Sequence, residues 1–204
     1  MGAYQQLVLP RLIDLALSGR QVGRLRARLT EGLDGVVLEV GFGSGANLAY
    51  YPKAVTKVLA VEPSPAARRL AARRLLGRDL PVSFVGLAGE ELPVADESAD
   101  HAVCSFTLCS VDDPLKTVME MARVLRPGGT LRFVEHGRVP SGQTGVWQDR
   151  LTPLQMRLAG GCRLNRRPDL TVAEAGLVLQ RLEHPRIVGP RLLTHIYAGV
   201  ATKP

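Results

Sequence analysis

The residues best suited to chemistry cluster early, in Glu39-Val40-Gly41-Phe42-Gly43-Ser44-Gly45. Three alternating glycines let a backbone turn tightly and approach a ligand without a Cβ in the way. Gly41-x-Gly43-x-x-Ala46 also matches a dinucleotide fingerprint, so the glycines alone do not choose a ligand. Glu39 narrows the choice, because a carboxylate ahead of the loop repels a pyrophosphate and tolerates a cationic ligand. Glu62 closes the next apolar run, Val58-Leu59-Ala60-Val61. A carboxylate there can accept from both hydroxyls of a ribose, in an NAD site as in any other nucleoside site. Two histidines, His136 and His195, fall at the ends of later apolar runs and are the candidates for proton transfer.

The elements that would position these groups alternate. Val36–Val40, Val58–Glu62, Val82–Val85, Ala102–Phe106 and Thr130–Val134 read as strands. Ser64 caps a helix with Pro65 in its first turn, and Ala67, Leu70, Ala71 and Leu75 share one face of it. Asp112 or Asp113 caps a second helix carrying Leu115, Val118, Met119 and Ala122, which Arg126-Pro127-Gly128-Gly129 ends. Strands alternating with helices require a mostly parallel sheet covered on both faces. The final pair, near Leu177–Leu182 and His195–Ala201, has too short a link for a parallel crossover and is expected to be antiparallel.

The totals bound the rest. A chain of 204 residues, 46% of them hydrophobic, suits one full core. The net charge of +7 allows nucleic acid, an anionic surface or an acidic ligand, or only an arginine-rich exterior. Aromatic residues are 4% of the chain, too few for an obvious base-stacking platform, and no Asn-Pro-Pro-Tyr motif occurs, so no nucleic acid partner is expected. Three cysteines, an odd number, argue against a disulfide framework. No signal peptide opens the chain and no run of about eighteen apolar residues spans a membrane, which makes a reduced cytoplasmic location the default. Residues 1–30 are expected to form a helical lid or surface segment, ahead of a catalytic domain over 31–204. The segment 4–28, apolar then basic, would cover the pocket or make peripheral contact with an anionic membrane.

Ala88-Gly89-Glu90-Glu91-Leu92-Pro93 and Arg123-Val124-Leu125-Arg126-Pro127-Gly128-Gly129, added to the glycine loop and Glu62, resemble the class I S-adenosylmethionine-dependent methyltransferases. The motifs run from Val36 to Phe133 in that family's order. The resemblance implies a doubly wound α/β fold, Rossmann-like, with a seven-stranded, mostly parallel sheet and an antiparallel last strand. It implies S-adenosylmethionine as cofactor, S-adenosylhomocysteine as product and no metal. The cofactor-binding residues expected on this basis are Glu39, Gly41, Phe42, Gly43, Gly45, Asn47, Glu62, Pro63, Gly89, Glu90 and Ser105, with Gly89 and Glu90 flanking the adenine. Ala88 departs from the acidic residue usual at its position, which leaves the adenine amino group to backbone atoms.

From Cys104 onward the likeness narrows. Cys104-Ser105-Phe106-Thr107-Leu108-Cys109-Ser110-Val111, Val134-Glu135-His136, Trp147-Gln148, Gly161-Cys162 and His195-Ile196-Tyr197 resemble the small methyltransferase-like thiol S-methyltransferases. That likeness implies a small-molecule acceptor, an apolar thiol methylated by in-line displacement, with His136 or His195 as the catalytic group. The alternatives are methylation of a lipid amine or quinone carbon, and a cofactor-binding protein without catalysis. Trp147 would line the pocket or anchor the core, and Cys162 would pack as a small hydrophobe.

Overall fold

A computed structural model describes residues 9–204. Its centre is a seven-stranded sheet in the order β3-β2-β1-β4-β5-β7-β6. The strands are β1 Gly35–Val40, β2 Val55–Val61, β3 Val82–Gly86, β4 Ala99–Ser105, β5 Leu125–His136, β6 Val178–Glu183 and β7 Ile196–Thr202. The first five run parallel, and β7 lies antiparallel between β5 and β6. The expected architecture is thus the observed one. β6 and β7 pair directly as antiparallel neighbours, so the link between them, which carries a short helix over Arg191–Thr194, need not cross a face of the sheet.

Strands β1, β2 and β4 are near-continuous apolar runs because helices cover both faces of the sheet. The covering helices are α1 Leu9–Ala16, α2 Arg20–Thr30, α3 Pro65–Leu75, α4 Pro114–Val124, α5 Gln143–Leu158, α6 Pro168–Glu174 and the short α7 Arg191–Thr194. On one face Val118 and Met121 of α4 and Val172 of α6 pack with Leu38, Leu131 and Phe133. On the other, Leu25 and Leu29 of α2 and Ala71 of α3 pack with Val37, Val58 and Val103. The second half of the N-terminal segment is therefore part of the core.

The local signals act as their chemistry dictates. Ser64 accepts from the Ala67 amide at 3.2 Å and Asp113 from the Lys116 amide at 2.9 Å, capping α3 and α4. Arg126–Gly129 loop out within β5, between the pairs Ala99↔Leu125 and His101↔Thr130, so that segment both stops α4 and bulges the strand. The periodic pattern does not announce α5, which carries Gly145 and an internal Pro153. Among the described residues no helix is long and apolar enough to cross a membrane. Residues 4–8 of the expected 4–28 cover lie outside the described residues.

Candidate functional site

The carboxyl ends of the parallel strands are where α/β sheets bind ligands, and the expected residues gather there. After β1, Gly41, Gly43 and Gly45 all adopt positive φ, 77°, 58° and 74°. A Cβ on Gly41 would strike the Thr107 side chain, so only glycine fits. Over Gly43 a Cβ would meet nothing nearer than the Gly41 carbonyl at 3.9 Å, leaving that stretch of backbone open to a ligand.

Glu62 clamps this loop. Its Oε2 accepts from the Gly43 amide and its Oε1 from the Ser64 amide, each at 2.7 Å. Each oxygen keeps a second acceptor direction, which a ribose hydroxyl can use. Burial pushes the Glu62 carboxyl up, and the two amides pull it back. Arg68 ties the neighbouring strand ends by donating to the carbonyls of Glu62 and Gly86 at 2.7 and 3.0 Å.

Glu39 sits behind the loop, 1% exposed. Asn47 donates to its Oε1 at 2.6 Å and the Tyr51 hydroxyl to its Oε2 at 2.7 Å. Burial raises its pKa to about 7 despite those bonds and the nearby Arg26. Ser105 Oγ accepts from Asn47 and Arg26 at 3.2 and 3.3 Å. Glu39, Asn47 and Ser105 therefore form one network. Phe42 instead turns inward, meeting Phe84 edge-on at 5.5 Å. Gly89 is buried where a Cβ would press on Thr117 and Val40 at 2.8 and 2.9 Å, while Glu90 accepts from the Asp113 amide at 3.3 Å and Pro63 is exposed.

The expected set omits Arg26, a buried residue of α2. Its Nη1 donates to Asn47 Oδ1 at 2.7 Å, its guanidinium lies 5.9 Å over the Phe106 ring, and its Nε is buried without a partner. The sequence did carry a signal. Val22, Leu25, Arg26 and Leu29 are spaced as one helical stripe, and all four are buried. Tyr51 is missed too, as is Phe106, which holds φ +56° at the end of β4. A bulky residue in that region is strained and marks functional turns.

Helix α1 crosses the glycine loop. Asp14 takes both Nη atoms of Arg74 at 2.8 and 2.9 Å and also bonds the Ser44 hydroxyl, while Arg74 donates to the Ser44 carbonyl at 2.8 Å. The loop, α1 and α3 are thereby latched together.

Beside this network His136 closes β5, its ring 5.2 Å from Phe106. Its Nδ1 faces Cys162 Sγ at 3.9 Å, and Cys109 completes a group whose ligand atoms lie within 4.8 Å of one another. The hydrogen bond between the two thiols draws Cys162 down and pushes Cys109 well up from the ordinary thiol pKa. Glu135 is fully buried, and its carboxylate accepts from the amides of Thr107 and Cys109 at 2.8 and 3.3 Å. His195 stands apart, stacked on His184 at 5.0 Å and edge-on to Tyr197 at 5.1 Å, its Nε2 buried without a partner. Trp147 is half exposed on α5 with Arg150 over its ring.

S-adenosylmethionine fits these residues. The open backbone at Gly43, the spare acceptor capacity of Glu62 and the orphaned Nε of Arg26 offer partners for the three polar parts of that molecule.

Comparison with known proteins agrees. Residues 38–133 match the family model described as a methyltransferase domain. Human thiol S-methyltransferase TMT1B is 35% identical over 167 residues, covering 77% of this chain and 68% of the human protein. Rat TMT1B is 40% identical over 134 residues, covering 64% and 54%. The matched stretch thus spans about half of the rat protein and about two thirds of the human one. Demethylmenaquinone methyltransferase of Paenarthrobacter aurescens is 31% identical over 152 residues, 72% of this chain and 56% of that one. In fold, the methyltransferase bound to Trm112 in Haloferax volcanii, described as putative, superposes with a TM-score of 0.74 at 18% identity, over 99% of this chain and 96% of that one. With a glycine loop clamped by Glu62 on a 3-2-1-4-5-7-6 sheet, and with 35% identity to the human protein over 77% of its own length, the chain is a member of the class I S-adenosylmethionine-dependent methyltransferases.

Proposed function

We propose that this chain transfers a methyl group from S-adenosylmethionine to a small apolar thiol. The observation that carries this reading is the 35% identity to human thiol S-methyltransferase TMT1B over 167 residues. The acceptor side of the site is compatible with it. Around His136 the nearby carboxylate, Glu135, is fully buried and accepts from the amides of Thr107, Leu108 and Cys109 and from the Cys104 thiol, which leaves it no capacity for a harder deprotonation.

The glycine loop would hold the methionine part, Glu62 the ribose, and Gly89 and its neighbours the adenine edge. Arg26 would pair with the carboxylate of the methionine part, giving its buried Nε a partner. The cofactor supplies a methyl group already activated on a sulfonium. The protein's work is then alignment and exclusion of water, worth roughly 7–11 kcal/mol where positioning is good. Helix α1, latched through Asp14, would shield the loop.

Likeness to a demethylmenaquinone methyltransferase favours a second reading, methylation of a quinone carbon. The test is an acceptor panel of alkyl thiols, matched alcohols and amines, and a demethylated quinol, following S-adenosylhomocysteine release. Small thiols should turn over fastest. Turnover of the quinol with none of the thiols would overturn the thiol assignment.

A further inference from the structure

We propose that Cys109, His136 and Cys162 form a zinc site whose open fourth position receives the acceptor sulfur. The three ligand atoms lie within 4.8 Å of one another, and Cys162 Sγ is 3.9 Å from His136 Nδ1. Zinc sits about 2.3 Å from sulfur and about 2.0–2.1 Å from nitrogen, so tetrahedral neighbours stand roughly 3.5–3.8 Å apart. The Cys162–His136 pair already stands close to that spacing, and the remaining distances, none above 4.8 Å, need to close by about 1 Å at most.

The surroundings hold it there. Arg163 donates its amide to the Cys109 carbonyl at 2.7 Å and its Nη1 to the Val111 carbonyl at 2.7 Å, tying the segment after α5 to the segment after β4. Arg166 donates to the Leu108 carbonyl. Glu135 fixes the Cys109 amide from behind. The His136 ring also makes a backbone hydrogen bond with Leu193, the outer-shell partner that orients metal-bound histidines.

Charge and coordination favour a working site. Two thiolates and a neutral imidazole cancel the charge of Zn²⁺, so the occupied cluster is neutral in a buried setting. Both thiols are buried and His136 is only partly so. Three protein ligands with one vacant position are the pattern of catalytic zinc, whereas structural sites are closed by four. The cluster joins the cofactor network through Phe106, which touches His136 on one side and lies under Arg26 on the other.

Use of the vacant position rests on the thiol reading above; the metal site does not. On binding zinc, the acceptor R–SH releases its proton to solvent and gives the metal a sulfur electron pair. That sulfur forms the new S–CH₃ bond as the sulfonium S–CH₃ bond breaks. The electron pair of the broken bond stays on S-adenosylhomocysteine, which leaves uncharged. The product thioether is a weaker ligand than a thiolate and vacates the metal.

The test is metal content by mass spectrometry, on protein purified with a phosphine reductant and without chelator, then reconstituted with zinc or cobalt. About one metal per chain is expected, with a thiolate-to-cobalt charge-transfer band. Cys162→Ser should lose both, and Cys162→His, which restores a ligand, should regain the metal. Binding of S-adenosylhomocysteine, measured alongside, shows that each variant is folded. No metal in reconstituted wild-type protein that binds S-adenosylhomocysteine would overturn the site, as would retention of the metal by Cys162→Ser. Ethanethiol should shift the cobalt spectrum. An unchanged spectrum would overturn the acceptor role while leaving the metal site. Failure of the thiol reading shows separately, as the absence of thiol turnover in protein that holds its zinc.

Discussion

Arg26 of α2 donates its Nη1 to Oδ1 of Asn47 at 2.7 Å, joining the N-terminal helices to the residues beside the glycine loop. The bond leaves Nε free and buried. If Nε meets the cofactor carboxylate, Arg26→Met should weaken S-adenosylmethionine and S-adenosylhomocysteine alike. The loss should be about ten- to a hundredfold, as for a charged hydrogen bond of roughly 1.5–3 kcal/mol. Methylthioadenosine, which lacks the carboxylate, should bind unchanged. Calorimetry with all three ligands decides it, and an equal loss for methylthioadenosine would assign Arg26 to packing.

Glu39 makes cofactor binding depend on pH. Its pKa of about 7 means that the free protein carries the proton below neutrality. A cation arriving nearby favours the carboxylate, so affinity for S-adenosylmethionine should fall below pH 7, by at most about tenfold per unit, and level off above. The groups facing it are Tyr51, Asn47, Arg26 and Glu62. The sign for stability is opposite. With the native pKa raised above the unfolded one, the cofactor-free fold gains from this group at low pH and loses that gain as pH rises through 7. Glu39→Gln should flatten both trends, read by calorimetry and thermal melts from pH 5.5 to 8.5.

Glu62→Ala should cost about ten- to a hundredfold in affinity for either ligand, from lost bonds to the ribose. The side chain also holds the amides of Gly43 and Ser64, so their hydrogen exchange should quicken in the same variant. Unchanged affinity would take Glu62 out of the binding surface.

Asp14→Ala should release α1 from Ser44 and Arg74. The Asp14–Arg74 pair is part-exposed and worth about 1 kcal/mol or less. Dissociation of S-adenosylhomocysteine in stopped flow should therefore speed up by no more than about fivefold. A rate equal to wild type would show that α1 does not gate the cofactor.

What the sequence determined on its own is local. Alternating apolar runs and the Ser64 and Asp113 caps fix the order of elements, because side-chain period and turn chemistry act between near neighbours. The glycine loop and Glu62 were legible for the same reason, since β1 and β2 are consecutive in the chain and paired in the sheet, which brings their carboxyl ends together. Only the tertiary structure decided what Arg26 meets. Helical spacing sets Arg26 apart from Arg20, Arg24 and Arg28 by placing it on the stripe of Val22, Leu25 and Leu29, but its partner Ser105 lies 79 residues away and only folding brings the two together. The same holds for Cys109, His136 and Cys162. In the sequence they are two small apolar residues and an isolated histidine. Packing of the end of β5 against the segments after β4 and α5 brings their ligand atoms together, and no local pattern encodes a contact that long-range burial creates.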